Sequence, residues 1–289
     1  MLLGCSFLIG TDGLAGSGAD GGGGATSADA ASGDVEGGRA GTDGGSDGAG
    51  GPPTTSGIKL ATPAVTSPLV DLNDPDAGAS TVVTTTVHQG DLLVAGVAWT
   101  YGVLEAAPPA LTVSDALGNT WQPATMAYDN YESGPGGHCK ADAQIFYATN
   151  ANGGSDVVTM TTSQAHNTTF TFTLLEYAGA FGSNPVDAFQ GQATPPSGSN
   201  LISAPPVVLS GTTDVIVAVF IDTAGGGLMT PGAGFVLRGS NAGLYSMVED
   251  DLLPTGASAG TQTASASLPP GATDNCWAAA VAAFTAQPR

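Results

Sequence analysis

From Ile58 onward, runs of β-branched and aliphatic residues alternate with clusters of Gly, Asn, Asp and Pro. That texture predicts short strands bounded by turns. The pattern places them at 59–65, 81–87, 92–99, 110–114, 120–128, 144–148, 156–162 and 168–177, then at 186–190, 206–209, 214–222, 234–239, 244–249, 261–268 and 276–285. Several alternate with period two. Phe170, Phe172 and Leu174 share one face and Thr171 and Thr173 the other, while Ala264, Ala266 and Leu268 oppose Thr263, Ser265 and Ser267. Such alternation marks an antiparallel strand with one buried and one wet face. The segments 92–99 and 215–221 are apolar almost throughout, which predicts central strands. No segment carries a helical period with caps. Many short strands with turns between them predict an all-β fold, an antiparallel β-sandwich of jelly-roll type.

The pattern also repeats. Asp91-Leu-Leu-Val-Ala-Gly-Val-Ala-Trp99 parallels Asp214-Val-Ile-Val-Ala-Val-Phe-Ile-Asp222. The segment 155–162 followed by 170–177 parallels 260–268 followed by 276–284. The domain over residues 58–289 is therefore expected to be pseudo-duplicated, with halves 58–190 and 191–289. At about 100 residues, each half suits a small sandwich of its own or a repeat inside one larger sandwich. One sandwich is the preferred expectation.

Residues 6–57 have a different texture. They are dominated by Gly, Ala, Ser and Asp, include Gly21 to Gly24 in a row, and carry Arg39 as their one cation. A segment with so little to bury does not offset its conformational entropy, so a disordered low-complexity tether is expected. About 45 such residues span roughly 35–40 Å as a coil. Pro52-Pro53 stiffens the chain just before the folded region. Ahead of the tether, Leu2-Leu3-Gly4-Cys5 resembles the lipobox of bacterial lipoproteins. The resemblance implies that residues 1–5 are the remnant of a signal, with Cys5 lipidated and serving as the mature N-terminus. It also implies an envelope or extracellular location, at the outer membrane. Only Met1 to Gly4 precede Cys5, whereas such a signal needs a basic and an apolar region there. Two readings stay open: a start further upstream, or a chance likeness.

Charge narrows the partners. Against 25 Asp and Glu the chain has 5 Lys and Arg, a net charge of -20. Phosphate contacts need cations, which argues against nucleic acid. An anionic membrane would repel the domain, leaving a lipid at Cys5 as the expected membrane contact. Divalent cations and neutral polymers such as polysaccharide suit this surface, as does plain solubility. Of the three cysteines, lipidation would account for Cys5. Cys139 and Cys276 then form a disulfide or remain as two buried thiols.

Ser114-Asp-Ala-Leu-Gly-Asn-Thr-Trp121, Ile145-Phe-Tyr-Ala-Thr-Asn-Ala-Asn-Gly-Gly-Ser155, Leu174-Leu-Glu-Tyr-Ala-Gly179 and Asn184-Pro-Val-Asp187 form a further set of motifs. Together with the closing 276–284 strand they resemble a β-sandwich module of secreted myxobacterial and actinobacterial proteins. The resemblance spans about residues 58 to 287. It implies a fold and a location, with extracellular binding and adhesion modules as usual companions, and no reaction.

Candidate chemistry is sparse. His138-Cys139 invites a thiol-hydrolase reading, but neighbours on a strand point to opposite faces, so His88 or His166 would have to serve the thiol. Three scattered histidines lack the spacing of a zinc motif such as His-Glu-x-x-His. Glu176 follows Phe170, Phe172 and Leu174 in parity and should point inward at a strand end, where a hydrogen-bonded carboxylate is the ordinary role. Asp222 ends the corresponding strand of the second half. A carboxylate-based glycosidase needs two such groups about 5–10 Å apart. Asp71, Asn73, Asp74 and Asp76 put four oxygen-bearing side chains in six residues, a candidate calcium site. Tyr101, Tyr128 and Tyr131 lie at strand ends or in a loop and are candidates for a sugar-stacking platform. The expectation is thus a surface-tethered, non-catalytic module with a binding, structural or adhesive role toward polysaccharide or an envelope protein. The alternative is a secreted, carboxylate-based hydrolase.

Overall fold

The computed structural model describes residues 58–71, 80–101, 110–128, 131–133, 137–163, 168–179, 181–194, 197–210, 214–223, 227–253, 259–273 and 276–286. All of them fall in one unit, Gly50–Arg289. Among the described residues every regular element is a strand, so none is a helix long and apolar enough to cross a membrane. In chain order the strands are β1 (Lys59–Leu60), β2 (Val65–Thr66), β3 (Val70–Asp71), β4 (Ser80–Val87), β5 (Leu92–Tyr101), β6 (Leu111–Asp115), β7 (Gln122–Tyr128), β8 (Tyr131–Ser133), β9 (Gly137–Cys139), β10 (Ala141–Ala148), β11 (Gly154–Thr162) and β12 (Thr168–Ala178). The second series is β13 (Phe181–Thr194), β14 (Leu201–Ser203), β15 (Val207–Val208), β16 (Asp214–Asp222), β17 (Thr230–Pro231), β18 (Val236–Asn241), β19 (Ser246–Leu252), β20 (Thr261–Gln262), β21 (Ser265–Ser267) and β22 (Trp277–Ala286).

The first large sheet has the order β1-β12-β5-β10-β7, with β2 and β3 also pairing along β12. The expected strand at 59–65 is thus broken into β1 and β2, and β3 continues the same edge. Pro63 and Pro68 fall between these pieces; proline lacks a donor for the ladder and is confined to edges. The second large sheet runs β13-β22-β16-β19-β18. The two orders correspond strand for strand, β12 to β22, β5 to β16, β10 to β19 and β7 to β18. Small sheets accompany each: β4-β11-β6 in the first half, and β14-β21-β17 with β15-β20 in the second. The pseudo-duplication seen in the sequence is a repeat of topology. The second series opens with β13 at Phe181, ahead of the 190/191 boundary drawn from the pattern.

Side-chain parity explains how the sheets stack. On β5, Ala95, Val97 and Trp99 pack toward β4, β6 and β11 with Phe170, Phe172 and Met160. Leu92, Val94 and Ala98, on the other face, pack with Val215, Val217 and Val219 of β16 and with Ala280, Ala282 and Phe284 of β22. On the second large sheet, Ile216, Ala218 and Phe220 turn away from that shared core toward Ile202, Ala264 and Ala266. The layers are therefore small sheet, large sheet, large sheet, small sheet. Where the pattern favoured one sandwich, the structure has two, joined back to back through their large sheets.

This arrangement corrects the half-wet reading of β12. Thr171 and Thr173 are buried, like the apolar residues between them. Their hydroxyls are satisfied locally: Thr173 Oγ1 lies 2.9 Å from Thr66 Oγ1, and Thr171 Oγ1 donates to the Ser67 carbonyl at 3.2 Å. The continuous apolar runs of β5 and β16 follow from the same cause, since both faces of each are covered. Ala264, Ala266 and Leu268 are buried as their alternation predicts, but 263–264 interrupts the strand, leaving β20 and β21 in different sheets. The short strands β3, β8, β9, β14 and β17 were not among the expected ones.

Candidate functional site

The site lies at one end of the first sandwich, where the chain passes from its small sheet into its large one. β4 ends at Val87, and His88-Gln89-Gly90 turns into Asp91 and β5. Gly90 has φ of 89°, a region that favours glycine. The turn is held at both ends: the Gly90 N–H donates to the Ala151 carbonyl at 2.8 Å, and the Ala151 N–H donates to the Asp91 carbonyl at 3.0 Å. Across from it stands Glu176 of β12. Its parity with Phe172 and Leu174 aims it between the two sheets, where it is buried.

The His88 backbone N–H donates to Glu176 Oε1 at 2.5 Å, and His88 Nδ1 lies 3.2 Å from the same oxygen. One ligand atom each from His88, Asp91 and Glu176 all lie within 4.8 Å of one another. Asp91 and Glu176 are 8% and 2% exposed, while the His88 side chain is 60% exposed. Asp91 Oδ2 and Glu176 Oε2 are buried, with no hydrogen-bond partner beyond the contact of the two carboxyls with each other. Burial, followed by the nearby Glu176 charge, pushes the Asp91 carboxyl up to about 6; His88 and Lys59 act in the opposite sense. Chemically the group can share a proton between its carboxyls or hold a cation. Glu176 thus points inward at its strand end and is hydrogen-bonded, in keeping with its parity. Parity along β12 does not reveal its partners Asp91 and His88, because the His88 contact joins residues 88 apart in sequence. The available signal was a His-x-x-Asp turn leading into a wholly apolar strand.

Most of the other candidates fall on residues or side chains outside what is described. Asp71 ends β3 and accepts from Thr169 Oγ1 at 3.2 Å, but Asn73, Asp74 and Asp76 lie outside the described residues. Tyr101 and Tyr128 close β5 and β7, and Tyr131 opens β8 opposite Cys139. The side chains of those tyrosines, of His138 and of Cys139 lie outside what is described, as do Cys5 and His166 altogether. Cys276 is buried just ahead of β22. Asp222 is fully buried at the end of β16, far along the strand from the residue pairing that would match Glu176. Trp99 and Trp277 are core residues, and the Trp121 indole N–H donates to Asp115 Oδ2 at 2.7 Å.

Other buried acids have architectural partners. Asp156 Oδ1 accepts from the backbone N–H groups of Ala116 and Val157 at 3.1 and 2.8 Å. Asp115 Oδ1 accepts from the Asn119 N–H, and the Asn119 carboxamide oxygen accepts from the Asn152 N–H. The 114–121 and 145–155 motifs are therefore two turns docked on each other. Between the sandwiches, Asp250 accepts from the Tyr177 hydroxyl at 2.7 Å and from Arg238 Nε at 2.6 Å.

Comparison with protein-family models, curated proteins and solved structures finds no match for this chain.

Proposed function

We propose that this chain is a surface-displayed, non-catalytic β-module with a binding or structural role, toward polysaccharide or an envelope protein. In this reading lipidated Cys5 anchors it, and the Gly/Ala/Ser/Asp tract stands the folded part off the membrane. The observation that carries the proposal is the stacking of the two sandwiches. Their large sheets share one core made of residues from β5, β10, β12, β16, β19 and β22, which makes a stiff body that presents edges and turns outward. The net charge of -20 with 10% charged residues fits extracellular display.

A disulfide between Cys139 and Cys276 belongs to the same proposal. Tyr147 of β10 meets Phe284 of β22 edge to face, with centroids 5.7 Å apart. Thr125, which pairs with Ile145, donates to the carbonyl of Gln190, which pairs with Val281. Both contacts align the facing strands in the same direction with nearly the same offset. Facing strands held in this way, with Cys276 buried just ahead of β22, support the pairing. Peptide mapping with and without reductant should yield a linked 139/276 peptide; alkylated thiols at both positions in unreduced protein would refute the pairing.

The second reading, a carboxylate-based hydrolase, draws on the Asp91–Glu176 pair. Both carboxyls are buried, which is unlike the open cleft that sugar hydrolysis needs. A glycan array run beside a panel of polysaccharide substrates separates the readings. The module should bind saturably without turnover. Turnover abolished by Glu176→Gln would establish the hydrolase instead.

A further inference from the structure

We propose that His88 Nδ1, Asp91 and Glu176 form a binding site for one zinc-like divalent transition-metal ion, which ties the small sheet of the first sandwich to its large sheet. Three independent features of the site carry this. The first is the donor set, one imidazole nitrogen and two carboxylates, within 4.8 Å of one another. Two ligand atoms about 2.0 Å from a tetrahedral ion stand about 3.3 Å apart, and His88 Nδ1 and Glu176 Oε1 are already 3.2 Å apart. The second is the pair of buried oxygens. Asp91 Oδ2 and Glu176 Oε2 are buried with no partner beyond the other carboxyl, and two facing carboxylates are costly to bury unless a proton or a cation lies between them.

The third comes from the repeat. Glu176 pairs with Leu93 on β5, and the matching position on β16, Ile216, pairs with Ala283. Ala283 and Glu176 both face the inside of their own sandwich, and Ala283 sits in its core. The fold therefore accommodates an alanine where the first half has a buried acid. Glu176 is a feature of one copy, not a requirement of the architecture.

The same donor set selects the ion. Calcium takes six to eight oxygen ligands and magnesium keeps most of its water, whereas imidazole with carboxylates suits zinc and its first-row neighbours. Two carboxylates and a neutral imidazole leave no net charge once a divalent ion binds. Three protein ligands leave a fourth position, on the side where His88 is exposed to solvent.

Isothermal titration of zinc into the metal-stripped full chain tests this, with a thermal melt at each end point. One ion per chain is expected, with a raised melting temperature. His88→Ala changes an exposed side chain and should fold; it should weaken binding by more than the 10- to 100-fold that outer partners of a metal usually cost. Asp91→Asn and Glu176→Gln should do the same, and Asp187→Asn on β13 should bind as the wild type. Excess calcium should leave zinc binding unchanged. No heat and no thermal shift in the wild type would overturn the proposal. So would zinc binding that survives His88→Ala in a folded variant, or that is lost in Asp187→Asn.

Discussion

Glu249 is fully buried on β19, with the Gly232 N–H donating to its Oε2 at 3.1 Å and its Oε1 left without a partner. Burial pushes its carboxyl from 4.5 up to about 8; the Gly232 and Ser265 amides pull against this, and Asp250 and Asp251 add to it. Between those two values the folded chain holds a proton that the unfolded chain has released. The unfolded state then binds fewer protons, so stability falls as pH rises through that window. Asp91, raised to about 6, adds a slope of the same sign at its lower end. Urea unfolding at pH 5 and pH 8 should show the folded state weaker at the higher pH. Glu249→Gln should remove much of that difference, and a slope untouched by the substitution would mean that other groups cause it. A second residue-scale prediction concerns Gly96. A Cβ built there would lie 2.9 Å from Val219 Cγ2 and 3.1 Å from Val248 Cγ1, across the shared core. Gly96→Val should therefore destabilise by about 1–3 kcal/mol, as overpacking does, measured as a lower urea midpoint at unchanged slope. In the sequence Gly96 looks like a weak point in a strand, because the valines that require it come from the other half of the chain. Glu176 shows the same limit: parity along one strand gives its direction, but not the turn 88 residues away that meets it.

At the scale of elements, the strands were legible and the layers were not. Every segment expected from the hydrophobic pattern has a strand or strand fragment in it, since β-branched runs between turn residues carry that signal locally. What the pattern misjudged was the far face of β12. Thr171 and Thr173 look solvent-facing by composition, yet they are covered by the second large sheet and bonded to Ser67 and Thr66. A hydroxyl with a nearby partner is buried at little cost, so polarity alone did not distinguish a wet face from an interface. The same interface carries a charged contact. Tyr177 of β12 reaches across to Asp250 of β19, which Arg238 of β18 also holds. Asp250 is fully buried, so Arg238→Ala strands a carboxylate and should cost about 3–5 kcal/mol. Tyr177→Phe removes one neutral donor from the same acid and should cost about 1–3 kcal/mol. Adding Asp250→Asn to Arg238→Ala should recover part of the loss, because the stranded charge is gone. A double variant no better than the single one would show that the charge is not what makes the arginine necessary.

For the molecule as a whole, the shared core decides whether the two sandwiches behave as two bodies or one. Val215, Val217 and Val219 from the second half pack with Leu92, Val94 and Ile145 from the first. Separating the halves would expose this entire apolar layer, at about 25 cal/mol for each Å² uncovered. Neither half should then persist once the other has unfolded, although each has the topology of a complete sandwich. Phe220 tests this cleanly. It is fully buried in the core between the second large sheet and its small sheets, away from the shared layer. Phe220→Ala should cost about 3–5 kcal/mol, as loss of a buried ring does. If the halves unfold together, native-state hydrogen exchange should show that loss equally in the slowest amides of β16 and of β11, in the other sandwich. Protection lost in β16 but kept in β11 would mean that the first sandwich stands without the second. The repeat would then be two stable bodies in contact, and the shared core too weak to couple them.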